Sequence, residues 1–493
     1  MKPFHTIAVP HKDILEGNLT MDVFAADLWE VNKDKGPDEY RDADLFFKKT
    51  YMTEGLKSLL DIVEKRLKGT GGHSVIQIQT PFGGGKTHAL IAMLHKAESW
   101  GAKTVVFVGD KVKTGSKAED FDTPWKIMEY QLTGKVNKFK SPIPPGGEQI
   151  KELLEQYKPT LILIDEFIPY LNIADSVKVE KSTLTSLILS FMHTLTNVVS
   201  EMPGVSLVFT TTPSNPYNRT PRGQEIVSDL QNITARKEII KTPVDDHEIT
   251  AVIRQRLFAE VNKDAAKKII SEFIKYCEKE NILPAGVEPS DYRDKFIESY
   301  PFTPEVIDVL YHRWGSYPDF QRTRGVLRLL SLVIHSLKGD NISYISVADF
   351  DLGNQDIRQE LLKHIGQEFN GIIAGDITDY DAGAKKVDTS LGGAYQGLKL
   401  GTRSATTIFM YSFSGGAETG ATTTDIKRLS TTVENPSSVI AEVLDQLKTK
   451  HLGYLQYGDE KYFFQNQPNL LLILRKKWKT SSPKILSTWR KSC

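Results

Sequence analysis

The feature that most constrains this 493-residue chain is a glycine-rich turn between an apolar run and a helical segment. Residues 74–79 read Ser-Val-Ile-Gln-Ile-Gln, and Thr-Pro-Phe-Gly-Gly-Gly-Lys-Thr-His follows at 80–88. This pattern predicts a buried strand that enters a glycine loop, after which Lys86 and Thr87 open a helix. Successive glycines let backbone N–H groups turn inward around phosphate oxygens, and the helix N-terminus adds partial positive charge. The segment therefore predicts a phosphate-binding site.

Lys86 and Thr87 have separate expected roles in this loop. We expect Lys86 to reach the β- and γ-phosphates of ATP, and the Thr87 hydroxyl to coordinate Mg²⁺. The loop departs from the usual P-loop pattern at Thr80, which stands where glycine is found six residues before the lysine. A glycine turn in an ordinary α/β protein is the alternative, and the strand before and the helix after disfavour it. The predicted nucleotide-binding residues of the loop are Thr80, Pro81, Phe82, Gly83, Gly84, Gly85, Lys86, Thr87 and His88.

A second apolar run, 161–164, ends in the acids Asp165 and Glu166. A carboxylate at the C-terminal end of a strand faces the crevice in which open α/β sheets bind ligands. We expect Asp165 to hold Mg²⁺, and Glu166 to orient or deprotonate the attacking water. A strand that ends in Asp-Glu is common by itself. Its place about 80 residues after the phosphate loop, with one strand between, supports the assignment.

Short apolar runs alternate with helical stretches around these two motifs. Strands that are separated by helices predict a parallel sheet with crossovers in one α/β domain. The fourth strand ends in three threonines, of which Thr211 is the preferred residue to contact the γ-phosphate or its water. A hydroxyl that satisfies the backbone at a strand end is the alternative. The predicted strands are 74–79, 104–108, 160–164, 205–210 and 238–241.

Helical patterns precede and follow this domain. Leucines and a valine at helical spacing predict a helix after Thr53. After Pro243 the strand pattern stops, and an aspartate at 245 or 246 is expected to cap the next helix. Further helices near 264–279, 303–315 and 323–337 predict a helical domain after the α/β domain.

The last part of the chain has the element order of a winged helix. Helical stretches at about 404–413, 423–430 and 436–450 precede two short aromatic runs at 453–457 and 461–465. The third helix carries two acids against two lysines, which is a poor balance for phosphate contacts. Contact with DNA and docking of a protein both remain open, and docking is favoured.

Composition narrows the class of protein further. Lys and Arg balance Asp and Glu at 62 each, so no global charge indicates a nucleic-acid or membrane partner. Only Cys277 and Cys493 are present, which excludes a disulfide scaffold and a cysteine zinc cluster. The N-terminus has no apolar signal region, and no run approaches the roughly 18 apolar residues of a membrane span. We expect a cytoplasmic protein without a membrane partner.

The order of motifs over residues 50–340 resembles the AAA+ ATPases: phosphate loop, extra strand, Asp-Glu strand, polar strand end, fifth strand and helical lid. The resemblance implies a homo-oligomer that hydrolyses ATP, in which an arginine of one subunit completes a neighbour's site. Arg236, before the fifth strand, matches that arginine, and Arg219 and Arg222 are runners-up. A solvated surface residue is the alternative for each of them.

The predicted lid contains a Gly-x-x-Arg string that resembles the second sensor motif of AAA+ lids. Arg324 and Arg328 are four residues apart and share one face of an otherwise apolar helix. Two cations in such a setting need an anionic partner. The resemblance places Arg328 on the γ-phosphate and Arg324 beside the nucleotide. An ion pair with an acid of the lid or core is the alternative.

A closer resemblance rests on three strings: the phosphate loop, Val-Pro-His-Lys-Asp-Ile-Leu-Glu-Gly at 9–17, and Thr-Tyr-Met-Thr-Glu-Gly-Leu at 50–56. They resemble an uncharacterised-domain family of predicted archaeal and bacterial AAA+ ATPases. Its members often lie beside DNA methyltransferases and helicases in defence or modification islands. The resemblance implies double-stranded DNA or a DNA-modifying protein as partner.

These patterns predict an α/β P-loop NTPase of the AAA+ type, with a five-stranded parallel sheet, a helical lid and a C-terminal winged-helix-like domain. We expect Mg²⁺-dependent ATP hydrolysis that remodels a partner. The alternatives are a slowly hydrolysing switch or scaffold that acts through assembly, and a small-molecule kinase. The expected divisions are an arm at 1–50, the ATPase core at 51–244, the lid at 245–340, an irregular linker at 341–403, the winged helix at 404–474 and a basic tail, truncated or non-native, at 475–493.

Overall fold

The chain divides into two units in the computed structural model. Thr20–Val252 form one, here called the α/β unit, and Met1–Leu19 with Ile253–Cys493 form the other, here called the helical unit. The residues that the structure describes are 2–17, 25–80, 84–211, 220–234, 238–317, 320, 323–414 and 419–470.

The strands, numbered in chain order, are β1 Ala8–Pro10, β2 Val75–Gln79, β3 Lys103–Val108, β4 Thr160–Asp165, β5 Lys178–Val179, β6 Ser182–Thr183, β7 Val205–Thr211, β8 Glu238–Lys241, β9 Phe258–Val261, β10 Ala421–Thr422, β11 Leu455–Gly458 and β12 Lys461–Phe464.

The first helices are α1 Lys12–Glu16, α2 Leu28–Asn32, α3 Asp38–Arg41, α4 Ala43–Lys49, α5 Glu54–Leu67, α6 Lys86–Ala97, α7 Pro124–Thr133, α8 Gly147–Gln156, α9 Phe167–Ala174, α10 Leu184–Glu201 and α11 Pro221–Thr234. The later helices are α12 Ile249–Leu257, α13 Lys263–Glu280, α14 Pro289–Ser299, α15 Pro304–Ile307, α16 Thr323–Ser336, α17 Gln355–Ile365, α18 Phe369–Ile372, α19 Gly383–Ser390, α20 Leu400–Tyr411, α21 Thr423–Ser430 and α22 Val439–Gln446. Wider π-helical turns continue α15, α18 and α22 at Asp308–Arg313, Ile373–Thr378 and Leu447–His451.

The α/β unit contains a five-stranded sheet of order β3-β4-β7-β2-β8, in which every neighbouring pair is parallel. Alternate residues of a strand point to opposite faces. Accordingly, Ile162 and Ile164 of β4 pack in a core layer with α10, whereas Leu161 and Leu163 pack in a layer with α5 and α6. Burial on both faces explains the nearly continuous apolar runs, and the predicted five-stranded parallel sheet is confirmed.

The N-terminal residues are more ordered than an irregular arm. Strand β1 pairs antiparallel with β9, with Ala8 opposite Val261, and α2 to α4 occupy much of the segment before Thr53. The expectation of an irregular arm at 1–50 is therefore wrong, and β9 is a strand within the segment 245–340 that was expected to be helical. A strand of three residues that pairs across about 250 positions leaves little local pattern to read.

The expected irregular linker at 341–403 is also wrong, because α17, α18 and α19 lie within it. Ala384 and Val387 of α19 are fully buried. Asp388 accepts hydrogen bonds from the Gly401 amide and the Thr402 hydroxyl, both at 2.6 Å, and so fixes α19 to the start of α20. A sequence rich in Gly, Lys and Asp thus forms a packed helix.

The winged helix predicted at the C-terminal end is confirmed. Helices α20, α21 and α22 are followed by β11 and β12, and β10, which lies between α20 and α21, completes a three-stranded antiparallel sheet of order β10-β12-β11. On α22, Val443 and Leu444 are buried, while Glu442 and Asp445 are exposed. The helix thus turns an acidic face to solvent. Among the described residues, no helix has the length and apolar character needed to cross a membrane.

Candidate nucleotide-binding site

The described part of the phosphate loop lies between the end of β2 and the start of α6. Gly85 is the N-cap of α6 and has φ +80°, a left-handed conformation that favours glycine. Lys86 is the first residue of the helix. Pro81, Phe82 and Gly83 lie outside the described residues. The strand, the turn and the helix therefore follow in the predicted order, with the N-terminus of α6 at the carboxyl end of the sheet.

Lys86 is a buried cation at this position, with 8% of its surface exposed. Its ammonium lies 3.4 Å from the Thr80 carbonyl oxygen and 3.5 Å from the Thr80 hydroxyl. Burial lowers the pKa of Lys86, and the charges of Asp165 and Glu166 oppose that shift. Thr80, the departure from the usual loop, is buried and lies beside the ammonium. A desolvated ammonium at the end of a glycine turn is suited to bind an anion.

Asp165 connects three elements of the α/β unit. Its side chain is 2% exposed. Thr87, on the first turn of α6, donates to Oδ2 at 2.7 Å. Thr210 on β7 donates to Oδ1 at 2.5 Å, and the Glu166 amide donates to Oδ1 at 3.1 Å. The two residues expected to hold Mg²⁺, Thr87 and Asp165, are thus in direct contact.

Thr210, and not the predicted Thr211, is the threonine at the end of β7 that contacts Asp165. The Thr210 hydroxyl reaches Asp165, whereas the Thr211 hydroxyl accepts a hydrogen bond of 2.6 Å from Gln77 on β2. Both threonines are buried. We therefore assign the polar contact at the end of β7 to Thr210. The threonine run was the available signal, but it did not reveal which hydroxyl faces the acid.

Glu166 lies where β4 passes into α9. It is the N-cap of α9 and has φ +49°, an uncommon conformation for a residue other than glycine. Its carboxylate is close enough to Lys86 to oppose the fall in the pKa of that ammonium. The two acids and the cation therefore meet at the carboxyl end of the sheet.

His88 is the third residue of α6 and follows Thr87, but its side chain faces a different direction. Its Nε2 is 2.9 Å from the Thr50 hydroxyl, and its ring lies 4.5 Å from that of Phe46 on α4, centroid to centroid. We therefore assign the His88 side chain a packing role in place of the expected nucleotide contact.

The candidate arginine fingers differ in what the structure describes. Arg236 and Arg219 lie outside the described residues. Arg222, on α11, binds Asp175 through two guanidinium nitrogens at 2.8 and 2.9 Å and also pairs with Glu225 at 3.1 Å. The hydrogen bonds from Arg222 hold the pKa of Asp175 below its ordinary value. Arg222 is therefore engaged within its own unit.

Arg324 and Arg328 lie on α16 in the helical unit. The Nε atom of Arg328 is 2.9 Å from Glu360, a carboxylate that is 2% exposed and that also binds Lys363 at 2.8 Å. The ion pair named as the alternative for Arg328 is thus present. Arg324 is half-buried on the same helix.

Asp245, His247 and Glu248 form another group of potential metal ligands, with one donor atom from each within 4.8 Å of the others. Helix capping accounts for Glu248, since its carboxylate accepts from the amides of Glu54 at 3.0 Å and Asp245 at 3.4 Å. We therefore give this group a structural role at the exit from β8.

Two domain models of one family match the chain. Residues 4–129 match the DUF499 N-terminal domain, and residues 245–464 match the DUF499 second domain. The two segments, of 126 and 220 residues, together cover 346 of the 493 residues. No curated protein matches the chain significantly.

Several solved structures resemble the chain at low identity. The Aeropyrum pernix ORC1 protein in complex with DNA is 14% identical, with 87% of this chain and 93% of that chain covered and a TM-score of 0.32. Cdc6p from Pyrobaculum aerophilum is 12% identical, with 90% and 97% covered and a TM-score of 0.36. AMPPCP-bound DnaA from Aquifex aeolicus is 14% identical, with 84% and 93% covered and a TM-score of 0.30.

Proposed function

We propose that this chain, which belongs to the DUF499 family by both of its matched domains, is a Mg²⁺-dependent ATPase of the AAA+ type. One observation carries the proposal: Asp165 binds the hydroxyls of Thr87 and Thr210 while the buried ammonium of Lys86 lies at the same end of the sheet. A carboxylate, a hydroxyl at a helix start and a desolvated lysine are the groups that bind a nucleotide phosphate with its metal.

The phosphate side of the proposal rests on Gly85 and Lys86. The first turn of α6 offers backbone N–H groups that lack helical partners, together with the positive end of the helix dipole. The left-handed turn at Gly85 brings Lys86 to the first position of that helix. Burial disfavours the charged ammonium, and a bound phosphate would restore a favourable environment for it. These residues fit the β- and γ-phosphates of ATP.

The metal side rests on Thr87 and Asp165. Mg²⁺ prefers hard oxygen ligands, and these side chains offer a hydroxyl and a carboxylate that are 2.7 Å apart. Bound there, the ion would neutralise charge between the β- and γ-phosphates. The hydroxyl of Thr210 keeps Asp165 oriented from the opposite side.

Glu166 is the proposed base for the attacking water. It follows Asp165 directly, and its carboxylate is electrostatically coupled to Lys86. In the proposed reaction, water attacks the γ-phosphorus, the bond to the β–γ bridging oxygen breaks, and ADP leaves. Glu166 orients the water and accepts its proton, while Lys86 balances the charge that develops on the phosphate oxygens.

Two substitutions test this function by steady-state ATP hydrolysis and nucleotide binding. Glu166→Gln should retain ATP binding and lose turnover by about 10²–10⁴-fold, because a general base contributes about that much. Lys86→Ala should abolish binding. Glu180→Gln is a matched control, since Glu180 is an exposed glutamate of the same unit with a similar φ of +53°. Equal turnover in the Glu166 and Glu180 variants would sink the assignment of Glu166.

The second part of the proposal concerns the process that ATP hydrolysis would drive. We propose a homo-oligomer in which Arg236 of one subunit completes a neighbour's site and hydrolysis remodels a partner, namely DNA or a DNA-modification complex. The exposed acids of α22, Glu442 and Asp445, favour a protein on that face, because phosphate contacts need cations. Strong, salt-sensitive stimulation of hydrolysis by double-stranded DNA would support direct DNA coupling. Indifference to DNA would favour a protein partner.

The alternative is a slowly hydrolysing nucleotide-gated switch or scaffold that acts through assembly. It makes a different prediction about the same protein: ATP should change the oligomeric state while turnover stays very low. Light scattering with and without ATP, beside the hydrolysis rate, separates the two functions.

A further inference from the structure

Gly109 lies directly after β3, beside the two acids at the end of β4. In the register of these strands, Val108 pairs with Asp165. The amide of Gly109 donates to the carbonyl oxygen of Asp165 at 2.9 Å. Gly109 is buried. The glycine is therefore held against the turn that carries Glu166.

A side chain at position 109 would collide with the backbone of that turn. An added Cβ atom would lie 2.1 Å from the carbonyl oxygen of Glu166, 3.0 Å from its carbonyl carbon and 2.8 Å from the Cβ of Tyr170. Backbone atoms cannot rotate away as the end of a flexible side chain does. Since Gly109 is not among the glycines with positive φ, close approach explains the absence of a side chain there.

The backbone conformation of the turn at Glu166 has to be stabilised by contacts with neighbouring residues. Its left-handed conformation, φ +49° and ψ +41°, is unfavourable for a glutamate. The Glu166 amide donates to Asp165, and Phe167 packs edge-on against Phe107 of β3 at 5.8 Å, centroid to centroid. Gly109 completes the enclosure, because its amide holds Asp165 and its bare Cα admits the Glu166 carbonyl.

We propose that Gly109 is a positioning residue for the carboxylate of Glu166. The inference rests on the proposed role of Glu166 in ATP hydrolysis. An alanine at 109 would have to move the Glu166 carbonyl by about 1 Å to reach an ordinary contact distance, given the 2.1 Å separation. Such a movement reorients the turn and shifts its carboxylate, and a misplacement of about 1 Å costs a reaction about 10²-fold.

The test compares Gly109→Ala with Gly147→Ala, a control in the same unit where an added Cβ would make ordinary contacts of 3.6 Å. We expect kcat to fall about 10²-fold in the Gly109 variant, with the Kd for ATP changed less than about threefold. The Gly147 variant should keep both values. Equal kcat in the two variants would overturn the proposal.

A double variant separates a positioning role from a general structural one. If Gly109 acts through Glu166, adding Gly109→Ala to Glu166→Gln should lower turnover no further, because the carboxylate to be positioned is already absent. Multiplied losses would overturn the proposal. If Glu166→Gln alone has wild-type turnover, the proposed function fails. If Glu166→Gln loses turnover while Gly109→Ala keeps wild-type turnover, the proposed function stands and the inference about Gly109 fails.

Glu166→Asp covers the case in which Gly109→Ala does not fold. It withdraws the carboxylate by about 1.5 Å, one C–C bond, without adding an atom to the core. A loss of turnover near that expected for Gly109→Ala supports the inference. Wild-type turnover would show that the carboxylate position is not critical and would overturn it.

Discussion

Thr210 and Thr211 are adjacent buried threonines, and their different hydrogen-bond partners predict different effects of substitution on Mg²⁺ binding. Thr210 donates to Asp165 at 2.5 Å, and Thr211 accepts from Gln77 at 2.6 Å. Valine replaces either hydroxyl with a methyl group of similar size. In Thr210→Val the buried Oδ1 of Asp165 loses its hydroxyl donor and keeps the amide of Glu166 at 3.1 Å. A hydrogen bond to a charged group is worth about 1.5–3 kcal/mol, or about 10- to 150-fold in an equilibrium constant.

The assay is ATP hydrolysis titrated with Mg²⁺ at saturating ATP. If Asp165 is a ligand of the metal, the loss of its orienting donor should raise the Mg²⁺ concentration for half-maximal rate by about 10-fold or more. Thr211→Val should stay within about fivefold of wild type, because its hydroxyl bonds to Gln77 and not to Asp165, and a neutral hydrogen bond is worth about 1 kcal/mol. Thermal unfolding of both variants checks that each remains folded.

The outcome that refutes the reasoning is an equal Mg²⁺ response in the two valine variants. It would mean that the contact between Thr210 and Asp165 does not bear on metal binding. A larger effect of Thr211→Val would favour Thr211, as the sequence did, for the contact with the γ-phosphate or its water.

Two further predictions concern the helical unit. Arg428→Ala should lower the free energy of unfolding by about 3–5 kcal/mol, because its buried guanidinium pairs with Glu305 at 2.8 Å and the carboxylate stays behind. Urea denaturation measures this, and Lys427→Ala, a half-exposed neighbour, should cost less than about 0.5 kcal/mol; equal losses would contradict the buried pair. Burial raises the pKa of Cys277 to about 12, so a Cys493→Ser variant should resist maleimide at pH 8 until it unfolds. Rapid labelling of the folded variant would contradict that burial.

The central sheet was predictable because each of its strands is buried on both faces. Such strands read as continuous apolar runs, and each of the five runs agrees with its strand to within one residue at either end. The positions of three predicted site residues could be read from the sequence for a related reason. Lys86, Thr87 and Asp165 owe their position to sequence-local features, namely a strand end or a helix start, and these features fix where a side chain begins.

The pairing of strands that lie far apart in the sequence could not be predicted. Strand β1 has three residues and meets β9 across about 250 positions, so neither strand carries a pattern that identifies the other. Helix α19 was hidden for a different reason. Its apolar residues are few, and the carboxylate of Asp388, which resembles a solvated charge in the sequence, is used inside the fold to bind Gly401.

The local sequence pattern also could not predict which face of a strand or helix carries a given side chain. Neighbouring residues of a strand point to opposite faces, so of Thr210 and Thr211 only one can face Asp165, and the register of β7 on β4 determines which. That register pairs Ile164 with Phe209, and therefore sets Asp165 beside Thr210. Neighbouring residues of a helix also point in different directions. Thr87 faces Asp165, whereas the ring of the next residue, His88, lies beside Thr50. A motif thus predicts where a residue lies along a strand or helix, and tertiary register determines which neighbouring side chains that residue contacts.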